Sequence, residues 1–198
     1  QDTEMLCKTN QILIESTKNS VKNQKVILEG DDLPEIDKNR FEQDADLIVS
    51  KKRTYEAASA YKELKTAVHN FASASNPGGG VTRGANAQEE CLCRCSNLYF
   101  CLNGPDMWNA FYMPHRQAHN PIHNDDIIFT PGIKVFKTDT SMPEKMQEKD
   151  WYDVDVITCA APNLREQPSN GYNSGDGDKK AMISGQELRK LHEKRKRP

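Results

Sequence analysis

The sequence contains no apolar run approaching the roughly 20 residues that span a bilayer, so no membrane-crossing helix is expected. Nor does it carry an excess of either charge. Its 27 Lys and Arg stand against 29 Asp and Glu, a formal net of −2, and no global basic field directs it to nucleic acid or to an anionic membrane. Apolar residues are in short supply at 36%, and the mean hydropathy is −0.81. Over 198 residues this composition supports one soluble domain of ordinary size with a lean core. The chain opens on Gln1-Asp2-Thr3-Glu4, with neither an initiator Met nor a charged-then-apolar segment, and reads as starting inside an element.

A disulfide framework is also absent. Cys91, Cys93, Cys95 and Cys101 crowd into eleven residues, while Cys7 and Cys159 stand apart. Disulfide scaffolds spread their cysteines across the loops of smaller domains. Reduced thiols fit better, which places the expected location in the cytoplasm, or in the nucleus for a eukaryotic chain.

What is present alternates between helical and strand patterns. Residues 2–21 read as a weakly amphipathic helix, 26–28 as a short strand and 45–50 as a second strand. Thr54 opens a capped helix running to about residue 65. The run 67–72 is a third strand, and it ends in Asn76-Pro77-Gly78-Gly79-Gly80. From 86 to 102 the pattern is helical, with Cys91, Cys95, Leu98 and Leu102 on one buried stripe. A loop-rich region surrounds Trp108 and Tyr112. Residues 126–130 and 133–136 read as two strands broken at Pro131-Gly132, and 154–161 as a buried strand. A flexible Gly- and Ser-rich loop is expected over 167–180 and a charged helix over 185–196. Strands alternating with helices predict an α/β mixed sheet.

The chemistry concentrates where strand 67–72 runs into three glycines and a helix begins a few residues later. Glycines lose more entropy on folding than other residues, so three in a row suit a sharp bend or close approach to a ligand. Backbone N–H groups there, beside a helix N-terminus, suit an anion such as phosphate. A surface turn followed by acidic first-turn residues, which the helix dipole favours, explains the same spacing. It is neither a Walker loop, since no Gly-Lys-Ser/Thr follows, nor a dinucleotide fingerprint, since the glycine spacing differs.

Gly78-Gly79-Gly80, seven intervening residues and then Gln88-Glu89-Glu90 resemble the signature of poly(ADP-ribose) glycohydrolases, and the flanking text resembles the bacterial-type branch of that macrodomain family. Segments 70–77, 91–99, 129–136 and 158–163 support the likeness, with a weaker match at Asp2-Thr3, so it covers most of the chain. The resemblance implies one macrodomain-like α/β domain over 1–198, a mixed sheet flanked by helices on both sides. It implies hydrolysis of the ribose–ribose O-glycosidic bond of poly(ADP-ribose), releasing ADP-ribose. In that reading Glu90 is the catalytic acid/base, Glu89 holds ribose hydroxyls, and Gln88 helps fix the two carboxylates. Gly78, Gly79 and Gly80 line the ribose and diphosphate, and Asn76 binds the distal ribose. The partners implied are poly(ADP-ribose), ADP-ribose and ADP-ribosylated proteins, with no cofactor, no metal, no membrane and no direct nucleic-acid binding. A non-catalytic ADP-ribose-binding macrodomain is the alternative. Adjacent helical residues point about 100° apart, so Glu89 and Glu90 are not expected to flank one bond from opposite faces as paired glycosidase carboxylates do. One carboxylate with a raised pKa is the simpler expectation.

Three other patterns invite metal or nucleic acid and are read more plainly. Cys93 is expected to face away from Cys91 and Cys95 on a helix, which denies tetrahedral zinc its convergent ligands. His115, His119 and His123 are spaced like stacked helical ligands, but Pro121 interrupts them, and they are read as loop histidines. The basic tail from Arg189 to Arg197 is read as the solvated end of the last helix, where cations suit the dipole. The family pattern would continue past Gln186-Glu187-Leu188 to a buried strand and a Gly-Cys-Gly-x-Phe type loop over the diphosphate. Nothing like it precedes Pro198, so the domain is expected to be incomplete at its C-terminus: a truncated chain, one completed by a partner segment, or a degenerate paralogue.

Overall fold

The computed structural model describes residues 2–162 apart from positions 34, 38, 121 and 122. The loop expected over 167–180 and the helix and basic tail expected over 185–197 lie outside the described residues.

The opening helix is two. Helices α1 (Asp2–Thr9) and α2 (Gln11–Asn23) meet at Asn10, whose backbone is extended and whose side-chain oxygen accepts the Leu13 N–H at 3.2 Å. That N-cap satisfies a donor of the new first turn and restarts the helix in a new direction. Strand β1 (Lys25–Ile27) follows, then α3 (Thr54–Ala58), which passes into a 3₁₀ turn at Ser59–Tyr61 instead of running to residue 65. The strand expected over 45–50 does not form. Leu47, Ile48 and Val49 are 91%, 70% and 89% exposed, because a strand needs a neighbour to pair with and no described strand runs beside this stretch.

Strand β2 (Ala67–Ala72) matches its expected bounds, with Val68, Asn70 and Ala72 buried and the residues between them exposed. The helix expected over 86–102 is broken into α4 (Gln88–Cys95) and α5 (Leu98–Leu102). Between them Ser96 is extended and bridges to Val135, while its hydroxyl donates to Leu92 O at 2.8 Å and accepts the Leu98 N–H at 3.2 Å. Of the expected buried stripe, Cys95, Leu98 and Leu102 are buried but Cys91 is only half-buried, and Cys93, expected to face away from Cys91 and Cys95, is buried as well.

The region around Trp108 and Tyr112 is helical, not loop-rich. Helix α6 (Pro105–Met107) enters a π turn at Trp108–Tyr112 and continues as α7 (Met113–Ala118). His115 lies buried on α7 with its ring 5.9 Å from that of His123, but no group of three or more His, Cys, Asp or Glu among the described residues could hold a metal. Strand β3 (Ile127–Val135) runs through Pro131-Gly132 as one strand with a bulge. A bulge tolerates the missing Pro N–H. Gly132 adopts φ +65°, gives its N–H to Asp155 at 3.0 Å and accepts from the Ser20 hydroxyl at 3.1 Å. Strand β4 (Tyr152–Ala160) completes a mixed sheet in the order β1-β3-β4-β2, with β2 parallel to β4 and the other pairs antiparallel.

The lean apolar content is spent on one face of this sheet. Val68, Ile128, Ile133, Val135, Val154 and Val156 pack there against Leu92, Leu98, Leu102 and Phe111. Each such side chain contributes about 1.5–3 kcal/mol on full burial, so concentrating them yields a working core from a modest supply. Helix α2 lies on β3 from the same side through Gln24 Nε2 to Thr130 Oγ1 at 2.8 Å. On the opposite face Phe71 is 57% exposed and Ile157 and Cys159 are half-buried.

Candidate active site

Parallel strands β2 and β4 end together at Ala72 and Ala160, and ligands in open α/β sheets bind beyond such carboxyl ends. The chain leaves β2 through Ser73 and reaches the glycine turn, while α4 begins directly over it. The turn is tight: Gly79 N–H donates to Asn76 O at 2.9 Å, and Gly78 and Gly79 adopt φ of +64° and +57°. Side chains are excluded for steric reasons as well. A Cβ on Gly79 would lie 2.5 Å from Glu90 Oε1 and 3.0 Å from Glu89 Oε2, and one on Gly78 would lie 2.8 Å from the Tyr99 ring.

Both carboxylates thus converge on one glycine although they are neighbours on a helix. Glu89 and Glu90 are 3% and 7% exposed. Glu90 accepts the Gly80 N–H at 2.8 Å and the Ala87 N–H at 3.0 Å, the latter as the third residue of α4 reaching back to its N-cap. Glu89 accepts the Ser73 N–H at 2.8 Å and a long 3.5 Å bond from Asn70 Nδ2. Within the turn the Gly80 N–H is thus held by Glu90 and the Gly79 N–H by Asn76 O. Those two donors are not turned toward an external phosphate.

Burial pushes Glu89 up to about 8, against the pull of the Ser73 and Asn70 bonds and with a further push from Glu90. Desolvation wins because the carboxylate is buried with no cation beside it among the described residues. Below it, Asn70 on β2 and Thr158 on β4 face each other in register and bond at 3.3 Å. Asn70 Oδ1 and the Tyr112 hydroxyl are buried there without hydrogen-bond partners among the described residues. Burial, and then the nearby Glu89, raise the Tyr112 phenol well above its ordinary value.

Among the described residues the Gln88 side chain makes its hydrogen bonds to β2 and α3, not to the carboxylates. Its Oε1 accepts the Phe71 N–H at 3.0 Å, and its Nε2 donates to His69 O at 2.7 Å and Thr54 Oγ1 at 3.1 Å. The side chain thus pairs with the outer edge of β2 as a strand would, and pins the start of α4 to the sheet. Asn76, at the strand exit, has its side-chain oxygen held by Arg116 Nη2 at 2.9 Å. Two surface hollows of about 340 and 260 Å³ lie elsewhere, one at the N-terminal ends of β2 and β4 and one on the outer side of the α4 start, and neither is lined by Glu89 or Glu90.

A family profile described as microbial-type PARG (poly(ADP-ribose) glycohydrolase), catalytic domain, matches residues 2–138. The chain belongs to this family. No curated protein matches it. Among solved structures it is similar to poly(ADP-ribose) glycohydrolase from Thermomonospora curvata, with a TM-score of 0.63 and 29% identity over 75% of this chain and 54% of that one. The same bacterial enzyme bound to the inhibitor ADP-HPD gives a TM-score of 0.61 and 28% identity, with 75% and 52% covered. The enzyme from Deinococcus radiodurans in complex with ADP-ribose gives 0.59 and 29%, with 75% and 59% covered. The chain thus spans about half the length of these relatives. Fold and family agree with the α/β macrodomain-like expectation.

Sequence reasoning missed Asn70, Tyr112 and Arg116. Asn70 left a signal, a polar residue at a position that alternation buries. Tyr112 and Arg116 left none, because their segment reads as loop.

Proposed function

We propose that this protein hydrolyses the ribose–ribose O-glycosidic bond of poly(ADP-ribose) and releases ADP-ribose. The observation that carries the reading is the convergence of two buried carboxylates on a side-chain-free glycine turn at the carboxyl ends of parallel strands. Glu90, fixed by two backbone donors, protonates the departing ribose oxygen. It then takes a proton from the water that attacks the oxocarbenium-like anomeric carbon. Glu89, raised to about 8, holds its proton at neutral pH and so can donate to a ribose hydroxyl as well as accept. Gly79 and Gly80 form the floor on which the ribose lies, and Asn76 meets the distal ribose. Gln88 acts at one remove, by fixing α4 on β2.

The ligands are poly(ADP-ribose), its ADP-ribose ends and ADP-ribosylated proteins, and the crowding of four of the six cysteines into eleven residues suits a reducing compartment such as the cytoplasm. No described helix is long and apolar enough to cross a membrane. The test is incubation with poly(ADP-ribose) beside Glu90→Gln. Release of ADP-ribose by the wild type, with at least a hundredfold loss in the variant and retained ADP-ribose binding, is expected. Full turnover by Glu90→Gln would sink the assignment, and ADP-ribose binding without release by the wild type would make the protein an ADP-ribose-binding module.

A further inference from the structure

Arg116 reaches from α7 across 40 residues of sequence to the strand exit. Its Nε donates to Ser75 O at 2.7 Å and its Nη2 to Asn76 Oδ1 at 2.9 Å. The flat guanidinium fork thus grips two consecutive residues at once, while its Cζ lies 4.6 Å from the Trp108 ring centroid. The π turn at Trp108–Tyr112 makes this stacking possible. In an unbroken α-helix, residues eight apart are turned about 80° from each other. The wider π turn uses less rotation per residue, a distortion found at functional sites, and brings Trp108 and Arg116 to one side.

The grip decides which end of the Asn76 amide is available. Its oxygen is taken by Arg116, and its Nδ2 donates to Ser75 Oγ at 3.1 Å. One amide hydrogen remains. We propose that Arg116 is a positioning residue for this site, locking Asn76 so that it offers a donor, not an acceptor, to the ligand. This rests on the reading of Asn76 as a ligand-binding residue given above. The locked amide selects an oxygen that can accept, such as a ribose hydroxyl lone pair or a phosphate oxygen. Without the guanidinium the amide is free to turn over and present its oxygen instead.

Calorimetric titration with ADP-ribose tests this on the wild-type chain, Arg116→Lys, Asn76→Ala, the double variant and Asn76→Asp, each with its melting curve. Arg116→Lys should bind about tenfold more weakly or worse, since one ammonium cannot span both oxygens. In the Asn76→Ala background the same change should cost little more, because Arg116 acts through Asn76. Asn76→Asp keeps and strengthens the pairing with Arg116 but has no hydrogen to donate, so it should melt no lower than wild type and still lose at least about tenfold in affinity. Unchanged binding by Arg116→Lys or by Asn76→Asp would overturn the proposal. Equal losses in both backgrounds would do so too, by giving Arg116 a direct contact with the ligand. Failure of the wild type itself to bind ADP-ribose would instead remove the reading of the site, and the proposal with it.

Discussion

Replacing Glu89 with Gln should flatten the pH dependence of stability, because the buried carboxyl is costly only when it is charged. Glu89 is 3% exposed, and burial lifts it from the ordinary 4.5 to about 8. Between those two values the folded protein keeps a proton that the unfolded chain has released. Stability therefore falls as pH rises through this window and levels off above about 8. A gap of three to four pK units, at about 1.4 kcal/mol each, sets a ceiling of about 5 kcal/mol. Water entry and relaxation around an ionised carboxylate lower that ceiling, and about 2 kcal/mol is a reasonable floor. Gln stays neutral at every pH. It can keep an acceptor on the Ser73 N–H, now bonded at 2.8 Å, and offer its amide hydrogens to Asn70 Oδ1, which has no hydrogen-bond partner among the described residues. Urea unfolding of both proteins at pH 5, 6, 7, 8 and 9 and fixed ionic strength is the assay, with the difference plotted against pH so that the other titrating groups cancel. The variant should gain about 2 kcal/mol or more on the wild type between pH 5 and 9. Parallel curves would refute the reasoning, since they would mean that Glu89 ionises as easily folded as unfolded.

Gly79→Ala should lose about 1–3 kcal/mol in a thermal melt, from its left-handed backbone and from the Cβ pressing on Glu90. It should lose most glycohydrolase activity as well, and a stable, fully active variant would contradict the close approach. Gln88→Ala removes the only described bond to the outward Phe71 N–H, so hydrogen exchange there should quicken by about tenfold or more. Unchanged exchange at Phe71 would show that the edge is held by something else. Iodoacetamide at pH 8 should label half-buried Cys91 and Cys159 before the others, because burial pushes Cys7, Cys95 and Cys101 up to about 12 and Cys93 well above its ordinary value. Early labelling of Cys101, read by mass spectrometry, would count against the packing described.

How much of the fold was legible depended on whether local pattern and partner agreed. Strand β2 was readable to the residue because Val68, Asn70 and Ala72 alternate toward the core. The Leu47-Ile48-Val49 triplet has stronger strand propensity yet stays exposed, because propensity without a pairing edge gives no stable strand. The break at Ser96 was hidden for the opposite reason. Nothing local forbids a helix there, and what ends it is the bridge to Val135, 39 positions away in the sequence. Pro131-Gly132 looked like a stop and proved to be a bulge, since Asp155 and Ser20 satisfy Gly132 from other elements.

By itself the sequence determined the glycine triplet, the Gln88-Glu89-Glu90 run and the strand-to-helix passage between them. These suffice for the fold class and for the choice of candidate residues, because a left-handed turn beneath an acidic helix start is a local requirement. Only the tertiary structure decided what each group does there. It turned the Gly80 N–H onto Glu90 and the Gly79 N–H onto Asn76 O instead of outward. It spent Gln88 on the edge of β2, and it brought Arg116 onto Asn76. It also made Glu89 the carboxyl lifted to about 8. Desolvation and hydrogen bonding depend on which distant atoms surround a group, and spacing along a chain does not encode that. The scarcity of apolar residues was met in the same way: among the described residues, most of the buried ones gather in one cluster on the sheet, with a smaller one around Leu13 and Phe136.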